Sequence, residues 1–86
     1  MARERVKAAG DPRSRAFGDA LKAARKERGL SQERAALECD LDRAYFGKLE
    51  RGQKWPTLET IFKLGSGLDA KPSELLTRTE RLLSKD

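Results

Sequence analysis

The sequence predicts an all-α domain of five helices, and two observations support that prediction. Apolar residues recur at spacings of three and four along most of the chain, as they do on one face of a helix. No stretch shows the strict apolar–polar alternation that is typical of a half-buried strand. With 86 residues the chain is long enough for one small domain. We therefore expect a single helical domain without a deep substrate cavity.

The first helix is predicted to begin at Asp11-Pro12, an N-cap residue followed by proline at the first helical position. Its inward stripe includes Phe17 and Leu21, and Gly29 follows its basic end. Residues 1–10 before it are basic and lack an apolar stripe. We predict that residues 1–10 form a flexible N-terminal arm and that residues 11–86 form the domain.

The next two predicted helices are short. Ser31 is placed to cap helix 2, at about residues 32–39, and Asp42 to cap helix 3, at about residues 43–51. Helix 3 would bury Phe46 and Leu49. Helices of this length are not stable alone, so other helices must hold them. The opposite face of helix 3 is expected to expose Arg43, Ala44, Tyr45, Gly47, Lys48 and Arg51.

Two further helices complete the predicted domain. Thr57 is placed to cap helix 4, and Lys71-Pro72 opens helix 5. Two glycines near the end of helix 4 have low helix propensity and predict a soft end there. The residues expected to face inward are Leu58, Ile61, Leu64 and Leu68 of helix 4 and Leu75 and Leu76 of helix 5.

The composition argues against an enzyme. The chain has no histidine, which excludes histidine-assisted nucleophiles and histidine metal sites. Its single cysteine cannot form an internal disulfide or a cysteine-rich zinc site, which fits a reducing compartment. No apolar run approaches the length of a membrane span or a secretory signal. We expect a cytoplasmic protein without catalytic residues, cofactor or metal.

The charge balance allows two interpretations. Nineteen basic residues against 14 acidic ones give a formal net charge of +5. An excess of this size favours a basic surface that meets an anionic partner. It equally suits a small protein that only needs to stay soluble, and composition alone leaves both open.

Residues 31–52, SQERAALECDLDRAYFGKLERG, resemble the helix-turn-helix of the Cro/cI-like, phage-repressor type of transcription regulators. The resemblance rests on Ser31-Gln32-Glu33, Ala36 and the run Leu49-Glu50-Arg51-Gly52 followed by Pro56, and it extends from about Phe17 to Leu76. Residues 41–46 further resemble restriction-modification controller proteins. The resemblance implies a bacterial or phage regulator whose helix 3 enters the major groove of DNA while helices 1, 4 and 5 hold it.

The chain departs from this family in two turns. Asp40 and Asp69 stand where the family commonly has glycine, after helix 2 and after helix 4. Aspartate tolerates left-handed backbone better than most residues. We therefore expect both turns to form.

The resemblance also implies roles for individual residues. Gln32 is expected to contact a phosphate, the alternative being a solvated polar residue. Arg43 is expected to read a guanine, the alternative being a phosphate contact. Tyr45 either contacts DNA or covers the edge of the core. Small residues such as Ala44 and Gly47 allow close approach to the groove. Phosphate neutralisation is assigned to Lys48, Arg51 and Lys54.

Other positions are expected to be structural. The family often joins the positions of Arg25 and Glu50 in a partly buried ion pair between helices 1 and 3. Cys39 is expected to be a small core residue, and Trp55 to pack on its own domain in preference to a dimer partner.

The resemblance leads us to expect a sequence-specific regulator that binds double-stranded DNA as a homodimer on a palindromic operator. No small-molecule ligand is evident. Phe62, Leu82 and Leu83 are candidate dimer contacts, although the two leucines would also serve the protein's own core. The rival interpretation is a protein-interaction module such as an antitoxin; the short C-terminal segment after Leu83 favours the regulator.

Overall fold

A computed structural model describes residues 6–85 of the chain. These residues form five helices and no strand: α1 Pro12–Glu27, α2 Gln32–Glu38, α3 Arg43–Glu50, α4 Leu58–Gly67 and α5 Pro72–Leu83. The predicted all-α fold is confirmed. The predicted ends of the first three helices agree with the observed ones to within one residue.

The start of each of the first four helices is fixed by the residue that the sequence predicted. The side chains of Asp11, Ser31, Asp42 and Thr57 each accept a hydrogen bond from a backbone N–H in the first turn of their helix. Helix α5 begins instead with Pro72 and has no side-chain cap. These bonds satisfy N–H groups that have no partner within the helix.

The two aspartates in the family's glycine positions do adopt left-handed backbone. Asp40 has φ 54° and Asp69 has φ 52°. The turn after α2 closes with a hydrogen bond of 2.9 Å from the Leu41 N–H to the Ala36 carbonyl. The turn between α2 and α3 therefore forms without glycine, as expected.

Helix α1 packs against both α3 and α5. Its contact with α3 is close because Gly18 has no side chain: a β-carbon there would meet the carbonyl oxygens of Leu49 and Glu50. The largest fully buried apolar side chains come from four helices and the end of α4, and they are Leu21, Phe46, Leu49, Leu64, Leu68 and Leu75. The core thus fixes α3 directly against the longest helix.

Leu58 does not face inward, contrary to the prediction. Its side chain is 71% exposed, and Thr60 is buried on α4 instead. At about 100° per residue, Leu58 lies roughly 40° from Phe62 but roughly 120° from the buried Leu64. Leu58 therefore belongs to the outward face of α4, together with Phe62.

The prediction that Leu76 faces inward was also wrong. Leu76 is 44% exposed, while Leu75 and Thr79 supply the buried face of α5. The Thr79 hydroxyl donates to the Leu75 carbonyl at 2.7 Å, so its polar group is satisfied within the helix. Leu76 lies about 100° from Leu75 around the helix, and the threonine takes the inward position one turn after Leu75.

Part of the segment predicted to be a flexible arm packs on the domain. Residues 1–5 lie outside the described residues, but residues 6–10 contact the domain: Ala8 is 7% exposed, and its carbonyl accepts a bond of 3.0 Å from the Asp11 N–H. The assignment of residues 6–10 to a free arm was wrong. No pattern within residues 6–10 indicates this packing, because the segment is held by hydrogen bonds to Ser14 and Trp55, which come later in the chain.

Candidate nucleic-acid interface

Helices α2 and α3 are fixed to the rest of the protein by an ion pair with little exposure. Arg25 Nε lies 2.6 Å from Glu50 Oε2, and its Nη2 lies 3.2 Å from Oε1. The two side chains are 10% and 2% exposed. Arg25 also donates to the Leu30 carbonyl at 2.8 Å, at the start of the link to α2. The pair expected from the family resemblance is thus present and joins α1 to α3.

Gln32 takes part in the same network. Its Nε2 donates to Glu50 Oε1 at 2.8 Å, so the side chain connects the first turn of α2 to the end of α3. The residue is half-buried. Its amide is therefore not the freely solvated group of the alternative interpretation. Contact between Gln32 and a phosphate stays a prediction.

The solvent-facing side of α3 carries cationic side chains without acidic partners. Arg43, Lys48 and Arg51 are exposed, and none of them forms an ion pair with any described residue. Ala44, also exposed, lies beside Arg43 in the first turn. Uncompensated positive charge spread over the exposed side of a helix attracts an anionic polymer.

Gly47 does not lie open on this face as predicted. It is buried beneath two guanidinium groups: a β-carbon at Gly47 would lie 3.0 Å from Arg51 Nη1 and 3.5 Å from Arg43 Nη1. The absence of a side chain lets both arginines lie along the helix surface. Two cations brought together in this way are poised to share an anionic contact.

Tyr45 lies at the border of the interface. It is half-buried and packs against the core, and its hydroxyl lies 3.4 Å from Thr60 Oγ1 on α4. Of the two roles that the sequence left open, this placement favours covering the edge of the core. Contact between Tyr45 and DNA is left as a prediction.

The loop after α3 adds another cation and an aromatic ring. Lys54 is exposed and has no ion pair with a described residue. Trp55 packs on its own domain, since its Nε1 donates to the Val6 carbonyl at 2.8 Å and the Arg13 guanidinium lies 5.3 Å from the centre of its ring. The expectation for Trp55 is confirmed.

Sequence reasoning missed Ser14 as part of this region. Its hydroxyl is buried within hydrogen-bond distance of the Ala8 and Gly52 carbonyls, the latter at 3.1 Å. Gly52 lies two residues after the end of α3, so Ser14 links the N-terminal segment to the end of that helix. Its spacing from Phe17 and Leu21, which puts a serine on the inward face of α1, was the only available signal, because its partner is 38 residues away.

Cys39 is buried in the core beside α4. Burial raises the pKa of its thiol to about 11, and the nearby Glu38 carboxylate adds to the shift. Among residues 6–85, no group of three or more cysteine, aspartate or glutamate side chains is placed to hold a metal ion. The described helices also include none long and apolar enough to cross a membrane.

Five helices, with two short ones joined by a tight turn and a cationic face on the second, define a helix-turn-helix DNA-binding domain. The family described as helix-turn-helix matches residues 21–75. The control protein C.MunI of Mycoplasma sp. is 41% identical over 66 residues, which is 76% of this chain and 89% of that protein. The control protein C.BamHI of Bacillus amyloliquefaciens is 38% identical over 64 residues, 73% of this chain and 79% of that protein.

A solved structure agrees with these relatives. The restriction-modification controller protein C.AhdI from Aeromonas hydrophila superimposes with a TM-score of 0.71 at 45% identity, covering 72% of this chain and 94% of that one. The chain belongs to the helix-turn-helix family of Cro/cI type. It is a DNA-binding transcription regulator.

Proposed function

We propose that the protein acts as a homodimer on a palindromic operator and regulates transcription by binding alone, without catalysis. The observation that supports this most is the positive charge of Arg43, Lys48 and Arg51, which lack acidic partners among the described residues. In this proposal α3 lies in the major groove. Its action on DNA would place the protein in the cytoplasm of a bacterium.

Within α3 we assign different tasks to the cations. Arg43 is in the first turn, from which helix-turn-helix proteins contact base edges, and its planar guanidinium suits guanine O6 and N7. Lys48 and Arg51 lie further along the helix, and Lys54 lies in the loop, so these three bind phosphates. Gln32 at the start of α2 would add a phosphate contact through its remaining amide hydrogen.

The dimer surface is proposed on α4 and α5. Leu58 and Phe62 are 71% and 59% exposed on one face of α4. Phe62 and Pro72 line one groove of about 640 Å³ between the two helices. On α5, Pro72, Leu76 and Leu83 lie on the same side, because seven residues make about two turns. This exposed apolar face would be covered by the same face of a second copy.

Leu82 is a weaker dimer candidate than the sequence predicted. It lines a groove of about 260 Å³ together with Ala20 of α1, on the side of α5 that faces its own domain. Leu83 keeps its proposed role. The interface proposal therefore rests on Leu58, Phe62, Leu76 and Leu83.

The relatives suggest which genes are controlled. C.AhdI is described as a restriction-modification controller, and it is 45% identical to this chain. We propose that this protein controls a restriction-modification system in the same way, with its operator beside the genes of that system.

Selection of bound sequences from random duplex DNA tests the function. We expect enrichment of a two-fold symmetric motif whose half-sites are about one helical turn apart, near 34–36 Å. The motif should recur upstream of the genes next to this one. Failure to enrich any motif would overturn the proposal and favour the interaction-module alternative.

A further inference from the structure

We propose that residues 6–9 and residues 53–55 form a second DNA-contact surface, which binds the phosphate backbone beside the groove that α3 enters. This surface, called the N-terminal clasp below, deepens the proposed function and rests on it. It is assembled from the start of the chain and the loop after α3. Its partner is the sugar–phosphate backbone of duplex DNA flanking the contacted bases.

Hydrogen bonds hold the N-terminal clasp together at two points. Trp55 Nε1 donates to the Val6 carbonyl at 2.8 Å. Two residues later, the Ala8 carbonyl accepts from the Ser14 hydroxyl, which also reaches the Gly52 carbonyl at 3.1 Å. Because Gly52 and Trp55 belong to the loop after α3, the segment is held against that loop and not only against α1.

The ring of Trp55 contacts a guanidinium group that is itself part of an ion pair. The Arg13 guanidinium lies 5.3 Å from the ring centre and 2.9 Å from Asp11 Oδ2. The side-chain hydrogen bond between them lowers the pKa of Asp11 and raises the pKa of Arg13. The negative charge of Asp11 is thereby offset next to the clasp.

The clasp presents uncompensated positive charge. Its two parts enclose an open groove of about 520 Å³, whose lining by residues 6–85 includes the ammonium-bearing Lys7 and Lys54 and no carboxylate. Both lysines are exposed, and neither forms an ion pair with any described residue. A lysine ammonium binds phosphate as a point charge with little demand on geometry. The groove suits the backbone of a nucleic acid and not the edge of a base.

The clasp is continuous with the proposed reading face of α3. Arg51 lies over Gly47 alongside Arg43, and its Nε donates to Gln53 Oε1 at 3.3 Å. Gln53 in turn lines the groove of the clasp. A cationic surface therefore runs from the first turn of α3 to Lys7.

The size of α3 explains the need for such a surface. Eight residues span only about 12 Å, so the helix alone reaches few phosphates. Contacts on the flanking backbone would add affinity without adding sequence preference. Their contribution is measurable because log K falls linearly with log salt, and each neutralised phosphate steepens this slope by about 0.9.

The test measures that slope on the selected duplex for the full chain and for a variant with Lys7→Gln and Lys54→Gln. We expect the slope of the double variant to be smaller by roughly 1.8 for each bound protomer, with an unchanged base preference. The matched control is Lys85→Gln, which removes an exposed lysine beside α5 and should leave the slope unchanged. A slope that falls by about 0.9, which Lys54 alone accounts for, or that does not fall at all, would overturn the clasp.

A second variant tests the hydrogen bond that closes the clasp. Trp55→Phe keeps an aromatic ring but removes the indole N–H, so it should lower the slope by about 0.9 as Lys7 leaves the backbone while Lys54 remains. An unchanged slope would overturn the role of this bond. If the wild type binds no duplex selectively, the proposed function fails as well, whereas selective binding with equal slopes refutes the clasp alone.

Discussion

Arg25 and Glu50 are the two charged residues that are buried in the described chain. Arg25 contacts Glu50 through two nitrogens and the Leu30 carbonyl through a third, at 2.6, 3.2 and 2.8 Å. Such a pair gains from mutual attraction but has already lost hydration. Its main effect is therefore to fix where α3 lies relative to α1, which decides where the reading face points.

We predict that Arg25→Ala lowers the free energy of unfolding by about 3–5 kcal/mol, because it leaves the Glu50 carboxylate buried without its cation. Chemical denaturation of Arg25→Ala, Glu50→Ala and the double variant gives the coupling energy. The control is Arg34→Ala in the exposed pair with Glu38, where the change should stay within about 0.5 kcal/mol. A coupling near zero would show that the buried pair does not act as a unit.

Cys39 illustrates a residue whose burial determines its reactivity. Its pKa near 11 keeps the thiol protonated at neutral pH, and only the thiolate reacts quickly with alkylating reagents. We predict that alkylation of the native protein at about pH 8 is far slower than alkylation of the unfolded chain. Mass spectrometry with and without denaturant checks this, and equal rates would contradict the buried position.

At the scale of elements, α1 and α5 are joined by a bidentate ion pair at the surface. Arg78 donates to both Glu27 oxygens, at 2.9 and 2.6 Å. This hydrogen bonding lowers the pKa of Glu27 below its ordinary value of 4.5. A carboxyl whose pKa falls on folding stabilises the fold above its unfolded pKa, and this stabilisation is lost as the pH falls through the folded pKa.

The expected result is a smaller acid sensitivity in Glu27→Gln. Between about pH 6 and pH 3 its free energy of unfolding should fall less than that of the wild type, because one depressed carboxyl no longer takes up a proton. Urea denaturation at the two pH values measures the difference. Asp11→Asn provides a comparison. The pKa of Asp11 is also lowered, but its partner Arg13 lies only two residues away, whereas the partner of Glu27 lies on another helix. Parallel curves for Glu27→Gln and wild type would contradict the account.

The elements also show what the sequence was able to predict. Caps at Asp11, Ser31, Asp42 and Thr57 were correct because a cap depends on residues within one turn. The prediction that Leu58 and Leu76 face inward was wrong. Leucines spaced three or four residues apart can be assigned to either of two adjacent faces of a helix. Only packing decides between them, and here Thr60 and Thr79 take the buried positions.

The candidate site divides in the same way. The identity of the cations on α3 followed from the face left over once Phe46 and Leu49 are buried, which is a local periodicity argument. The contacts of Gln32 with Glu50 and of Val6 with Trp55 could not be predicted from local periodicity. They join residues that are 18 and 49 positions apart in the sequence. Non-local hydrogen bonds have no signature in a single sequence.

At the scale of the whole molecule, the proposed assembly places α3 and the dimer surface on different elements. We predict that Phe62→Glu shifts the protein to monomer in sedimentation equilibrium, because it buries an unpaired charge in an apolar interface. The matched control is Leu37→Glu, which alters a 67% exposed leucine on α2. The control should sediment like the wild type. If Phe62→Glu also sediments like the wild type, the interface lies elsewhere.

The division of labour along α3 is the central claim, and the comparison of Arg43→Ala with Lys48→Ala over a library of duplexes tests it most directly. Arg43→Ala should cost about 1–3 kcal/mol on the preferred site and abolish preference at one position in each half-site. Lys48→Ala should weaken binding to all sequences nearly equally. Indistinguishable sequence profiles for the two variants would contradict the account.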